Sequence, residues 1–343
     1  MFFDFLRMGI IQMKIRNCNL DLIKCLACLG VVGLHSVGMV NYTIYYLCGI
    51  SVPLFFMVNG YLMFSRSSLP YSYALRKIRN LLIPVIGWNL LILIPVVVVR
   101  HKFVNPITLF LKSLFQQGYL WHFWFYGSLI LIYLGMPLLY RLLHDHTLAL
   151  SLLCMLLALC SICLCLLSMH RGYSIQQYVP QTLRLWTWLF FFLFGGLCAV
   201  KAEKNSLLLS IHMPLWLHWI LVLLLAILNN FCIKKTGLYL IHNRLADLFY
   251  DNPSSILWYT VTFLFLLRLP IHAEKAKSLI VSLCSLTMGI FILHPILLAG
   301  IQAVYTPAGT FSAVALLLFL TVLSGAITFV IGKIPLVNLL IRT

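Results

Sequence analysis

Apolar residues in this chain come in long runs, with the polar residues gathered between them. A helix crossing the roughly 30 Å hydrocarbon core of a bilayer needs about 20 mostly apolar residues. Ten stretches meet or approach that length: 22–40, 44–64, 80–99, 121–140, 148–168, 184–200, 213–232, 254–269, 279–300 and 311–331. The shortest is 254–269. Residues 234–252 (KKTGLYLIHNRLADLFYDN) are instead amphipathic and are predicted to lie at the membrane interface. The pattern predicts an all-α polytopic integral membrane protein of about ten transmembrane helices in one bundle. Residues 1–20 form a cytoplasmic N-terminal segment, 21–333 the membrane domain and 334–343 a cytoplasmic tail. No internal repeat suggests the inverted duplication of a transporter.

Composition and charge sharpen this. Of 343 residues 62% are apolar and 9% charged, and the mean hydropathy is +1.02; a soluble chain carries about a quarter charged residues. A soluble enzyme, a disordered segment and a disulfide-stapled module are excluded. The 24 Lys and Arg outnumber 7 Asp and Glu. They sit in short clusters between apolar runs, where they set orientation and meet anionic lipid headgroups instead of forming a nucleic-acid face. With the N-terminus inside, sixteen of the 24 basic residues fall on inner segments and eight on outer ones, which predicts both termini in the cytoplasm. Tyr42, Tyr45, Tyr46, Tyr119 and Trp121 then sit at outer span ends, as an aromatic belt does. Residues 1–19 carry Arg7, Lys14 and Arg16 without a cleavable apolar core, so no signal peptide is predicted; Met13 offers a second start. Cys25-x-x-Cys28 and Cys160-x-x-Cys163 each offer two ligands at most with no second pair nearby, so they read as helix residues and no metal is expected.

Ionisable residues inside a membrane cost at least ~2.5 kcal/mol at a helix centre and so mark function. In the first span, Lys24 and His35 are eleven residues apart. Eleven steps of 100° end about 20° past three full turns, so both point along one face, about 16 Å apart in height. Asp21, three residues before Lys24, can neutralise or orient it. Arg76-Lys77-Ile78-Arg79 enters the third span, and Arg76 and Arg79 are neighbours suited to holding phosphate. Trp121-His122-Phe123-Trp124-Phe125 places a histidine inside an aromatic cluster of the kind that stacks sugar rings. In His294-Pro295 the proline is expected to free a carbonyl and open the ninth span locally.

Taken together, these segments resemble the membrane acyltransferase 3 family. The matches are Lys24 to His35 after Leu20-Asp21, GISVPLFFMVNGYLMF at 49–64, Arg76-x-x-Arg79 followed by LLIP, HFWFYGSLILIYLGMPLL at 122–139 and FILHPILL at 291–298. They occur in order over residues 20–300. The HFWF segment resembles the bacterial polysaccharide and O-antigen O-acetyltransferase branch. Two positions depart from the family pattern: Lys24 stands where arginine is usual, and Asn59 where serine is usual.

The resemblance implies an enzyme of the bacterial inner membrane that moves an acetyl or other acyl group from acetyl-CoA to a hydroxyl of an envelope glycan, such as O-antigen or a lipid-linked saccharide. It implies catalytic roles for His35, Lys24 and Asp21, CoA binding by Arg76 and Arg79, and acceptor binding by His122, Trp124 and His294. An imidazole of ordinary pKa near 6.5 suits a general base for a sugar hydroxyl. Two alternatives are a glycosyltransferase using a lipid-phosphate sugar, with Asp247 and Asp251 as its only outer carboxylates, and a non-enzymatic flippase. No serine elbow, Walker loop or zinc signature is present.

Overall fold

The computed structural model describes residues 16–38, 40–101, 104–203, 214–244 and 249–341, all helix, turn and loop with no strand among them. The helices are α1 (Cys18–Ser36), α2 (Tyr42–Cys48), α3 (Ser51–Phe64), α4 (Tyr71–Arg100), α5 (Pro106–Leu114), α6 (Trp124–Leu143), α7 (Thr147–Arg171), α8 (Leu185–Glu203), α9 (Leu215–Lys235), α10 (Pro253–Arg268), α11 (Glu274–Gln302) and α12 (Thr310–Gly332). Among the described residues nine helical stretches, with α2 and α3 counted as one, are long and apolar enough to cross a membrane. The remaining predicted span, 254–269, is α10, only 16 residues long, about 24 Å. It still runs the height of the bundle. Asp251, next to its start, bonds Thr187 at the first turn of α8, while Leu266 and Leu269 at its far end accept from Asn19 Nδ2, both at 2.8 Å, at the start of α1. Protein partners at both ends satisfy the backbone groups that a lipid-exposed short helix would leave bare.

The bundle has a centre and a periphery. Two-thirds of the apolar stretch of α6 and of α8 is buried (67% each), against 22% for α7 and for α9, which face lipid. The tightest crossing is α3 on α8. A Cβ on Gly60 would lie 1.7 Å from the Phe192 carbonyl oxygen, and one on Gly195 would lie 1.9 Å from that of Met57. Small residues that let backbones touch are how helices associate where lipid removes the hydrophobic drive. Gly60→Val or Gly195→Val is therefore expected to prevent a stable fold, read as loss of the monodisperse peak in detergent; wild-type yield and melting for both would contradict this crossing.

Several boundaries differ from the sequence pattern. The second run breaks into α2 and α3 at Gly49-Ile50, where the Ser51 hydroxyl bonds the Cys48 carbonyl. The third span begins nine residues early, at Tyr71, so the basic cluster is helical and the preceding loop is short. The described part of residues 234–252, expected at the membrane interface, is not one continuous helix. Here α9 runs into a π-helical turn (Thr236–Leu240), residues 245–248 lie outside the described residues, and Phe249, Tyr250, Asp251 and Asn252 are buried. The bonds of Asp251 hold that turn in protein. Nor does Pro295 open its helix: α11 continues from Glu274 to Gln302, and the His294 ring turns back to donate to the Ile290 carbonyl at 2.9 Å. The last helical turn (Val337–Ile341) docks on α4, its Leu340 carbonyl accepting from Trp88 Nε1 at 2.9 Å. Arg16 and Ile341 line one cavity, so the described chain enters and leaves at the same end.

Candidate active site

Three cavities, spread over both halves of the bundle, border α1. At the end where α1 begins, two overlapping cavities of about 410 and 480 Å³ share Arg16, Lys24, Asn59, Leu62, Lys77 and Tyr133. The charged lining of the larger is four cations, Arg16, Lys24, Arg66 and Lys77, against the single carboxylate of Asp21. The first turn of α1 sets this up. The Asn17 side chain caps it, accepting from the Asn19 and Leu20 amides at 3.0 and 3.4 Å, and an acidic residue in that turn suits the helix dipole. Asp21 is 4% exposed. It pairs with Arg16, stands 3.7 Å from Lys24 Nζ, and accepts from Cys284 Sγ at 3.2 Å. Arg66 lies 3.9 Å over the Tyr73 ring. An anion entering here meets an excess of three positive charges in a partly desolvated mouth, where electrostatics act more strongly than in water.

Arg76 and Arg79 are exposed and line none of these cavities. Lys77 between them does. Along α4 the cavity-lining residues are Tyr73, Lys77 and Leu81, four apart on one face, and the two arginines fall off it. Sequence reading passed over Lys77 and Arg66, and the signal that finds Lys77 is this helical phase once the helix is started at Tyr71.

The cavity at the other end is about 230 Å³, mostly apolar, and lined by His35, Tyr45, Trp121, His122, Trp124 and Gln181 among others. Glycines on α1 seat His35. A Cβ on Gly30 would strike the Ser51 hydroxyl and one on Gly33 the Cys48 sulfur, so α1 lies directly on the α2–α3 break. The His35 ring stacks on His294 at 5.2 Å between centroids (26°) and meets Trp121 edge-on at 4.9 Å (80°). His122 stands 6.3 Å from His294. His122 and His294 are 2% and 0% exposed beside His35. His294 Nδ1 donates to the Ile290 carbonyl, and its Nε2 is buried without a partner. His294 backs His35 without lining the cavity. Trp124 is 7% exposed and leans on Trp188 at 5.2 Å, so it forms the wall, while Trp121, read from sequence as a belt residue and as part of the aromatic cluster around His122, touches the His35 imidazole. The three imidazoles do not form a metal site: among the described residues no three His, Cys, Asp or Glu side chains are so placed.

Asp251 braces this end from outside the spans. It is 2% exposed and accepts from Thr187 Oγ1, from Gln176 Nε2 at 3.2 Å and from Trp186 Nε1 at 3.4 Å. Its neighbour Tyr250 lines the His35 cavity. A carboxylate so enclosed is a brace, not one of a pair of open catalytic acids; Asp247 lies outside the described residues. Burial raises the Asp251 carboxyl above its ordinary value, against the pull of those donors. A carboxyl raised by folding contributes stability that is complete below its unfolded value, near 3.9, and is lost as pH rises through the folded value. Thermal melting is expected to show such a component, declining from acid toward neutral pH, and Asp251→Asn should abolish it. Asp251→Ala should melt lower than either, because each donor left unpaired costs about 1–3 kcal/mol. Identical melting of all three at every pH would remove the brace.

The fold and site thus define an all-helical, membrane-embedded protein with a basic cavity at one end and an aromatic, histidine-lined one at the other. The model of the acyltransferase 3 family, described as an acyltransferase domain, matches residues 18–333, nearly the whole chain. The chain belongs to that family and is a multi-pass membrane acyltransferase. No curated protein and no solved structure matches it.

Proposed function

We propose that this acyltransferase moves an acetyl group from acetyl-CoA, bound at the Lys24 end, to a hydroxyl of an envelope glycan held at the His35 end. The observation that carries the reading is the end-to-end pair of cavities with opposite chemistry, joined at one wall. The basic cavity suits the CoA phosphates, with Lys24, Lys77, Arg66 and Arg16 as counter-charges and the pantetheine arm directed along α1. The aromatic cavity suits one sugar ring, with Trp121 as a stacking face and His122 as a polar edge. His35 takes the acceptor hydroxyl proton, the oxygen attacks the thioester carbonyl, and the new C–O bond forms as the C–S bond breaks. The imidazolium returns its proton to the departing CoA thiolate, so the enzyme ends as it began. His122 supplies a donor for the oxyanion, and His294 positions His35 by stacking.

The excess of basic residues on the segments of the Lys24 end supports a cytoplasmic Lys24 end with both termini inside, and the likeness to the bacterial O-acetyltransferase branch supports an inner membrane as the site of action. The likeness of 122–139 to the O-antigen branch supports O-antigen or a lipid-linked polysaccharide as the acceptor. Mass spectrometry of envelope glycans from cells with and without the gene tests this. A glycan heavier by one acetyl group only in the first supports it; identical glycans would remove it.

A further inference from the structure

We propose that Phe55, Phe125 and Phe291 measure the acyl group, so that the wall between the two cavities decides which chain lengths are transferred. The inference rests on the reading that the thioester arrives from the Lys24 end. These three residues are the lining common to the 230 Å³ cavity at His35 and the 410 Å³ cavity below it. They come from three helices, α3, α6 and α11, and their rings meet in sequence. Phe55 and Phe125 stand 5.9 Å apart between centroids, and Phe125 and Phe291 5.7 Å. Phe125 and Phe291 are 7% and 8% exposed.

The wall is held from behind. The Phe55 carbonyl accepts from Asn59 Nδ2 at 2.8 Å, and Asn59 Oδ1 accepts from Tyr133 Oη at 2.9 Å, which ties α3 to α6 one turn from the ring. Phe125 meets Phe56 edge-on at 4.9 Å. Phe291 packs on Tyr126 at 5.4 Å, and the Tyr126 hydroxyl bonds the Met288 sulfur one turn along α11. Rings fixed on three helices cannot all retreat together in a close-packed interior.

The chemistry then places the acyl group against them. A thioester below the wall and a hydroxyl above it can react only where the cavities meet, so the carbonyl carbon sits at the rings. The sulfur lies on one side and the attacking oxygen on the other, leaving the acyl tail to point along the aromatic surface. An acetyl group places one methyl there. Each further methylene must displace a packed ring edge, and methylene discrimination in such pockets is roughly 10- to 200-fold.

The test uses the full-length protein in membrane vesicles of its native host, supplied with acetyl-, propionyl- or butyryl-CoA, and reads acyl-CoA-dependent release of free CoA thiol and acyl incorporation. Wild type, Phe55→Leu, Phe125→Leu and Phe291→Leu are compared at matched expression and melting temperature. The expected result is a butyryl-to-acetyl ratio of kcat/KM that rises about tenfold or more in at least one variant that retains acetyl transfer. Phe55→Leu serves where the more buried positions reduce yield. Acetyl transfer retained with an unchanged ratio in every variant would overturn the wall while leaving the donor reading standing. No acyl-CoA-dependent transfer by wild type at any chain length would overturn the donor reading and the wall with it.

Discussion

Replacing His35 by alanine is expected to slow acyl transfer by roughly 10²–10⁴-fold, the usual loss when a general base is removed. The protein should remain at its normal level in the membrane, because taking an imidazole out of a span lowers the insertion penalty. Its neighbours sharpen the prediction. His294 touches His35 but not the cavity, so it acts through His35. The His35→Ala, His294→Ala pair should then be no slower than His35→Ala alone, while His294→Ala by itself is partly impaired and shifts the pH profile of kcat. Groups acting as one unit are non-additive in this way. A well-expressed His35→Ala protein that transfers at near wild-type rate would end the proposed mechanism.

The second large effect is expected at the basic mouth. Lys24→Ala and Lys77→Ala should each weaken acetyl-CoA binding roughly 10- to 100-fold, since a hydrogen bond to a charged group contributes about 1.5–3 kcal/mol. Removing Lys24 leaves Asp21 still paired with Arg16, so the loss reports on the ligand and not on an abandoned buried carboxylate. Lys24→Arg, the residue usual in the family, should retain binding. Alanine at both Arg76 and Arg79 should change affinity less than either lysine variant, because neither arginine reaches the cavity. Titration with labelled acetyl-CoA separates the cases. A large loss at the arginine pair with none at Lys77 would move the donor site to the exposed face of α4.

How far the sequence alone reaches follows from which features are local. Apolar runs located the nine helical stretches that, among the described residues, are long and apolar enough to cross a membrane, because lipid forces each backbone group to be satisfied within its own helix. The alignment of Lys24 with His35 was likewise legible, as it depends only on helical phase within α1. Helix starts were harder: Tyr71 opens α4 inside a polar stretch that hydropathy counts as loop, and without that start the shared face of Tyr73, Lys77 and Leu81 was not visible beside the phosphate-suited pair Arg76 and Arg79. The gathering of His35, His122 and His294 was out of reach, because it joins residues from α1, the turn before α6, and α11. The contact of Trp121 with His35 was hidden for a different reason. Trp121 stood out within its aromatic cluster, but a tryptophan at a span end is what an interfacial belt also provides, so nothing local marks the imidazole of another helix beside it.

Transfer from one side of the membrane to the other is the most direct measurement of the central claim. Inside-out vesicles present their cytoplasmic face to the medium and keep the envelope glycan in the lumen, and acetyl-CoA does not cross the bilayer. Radiolabelled acetyl-CoA added outside should place label on the luminal glycan in vesicles carrying wild-type protein, and not in those carrying His35→Ala. Label confined to acceptors on the medium face, or luminal label of equal strength with the His35→Ala protein, would contradict a donor entering at Lys24 and an acceptor activated at His35.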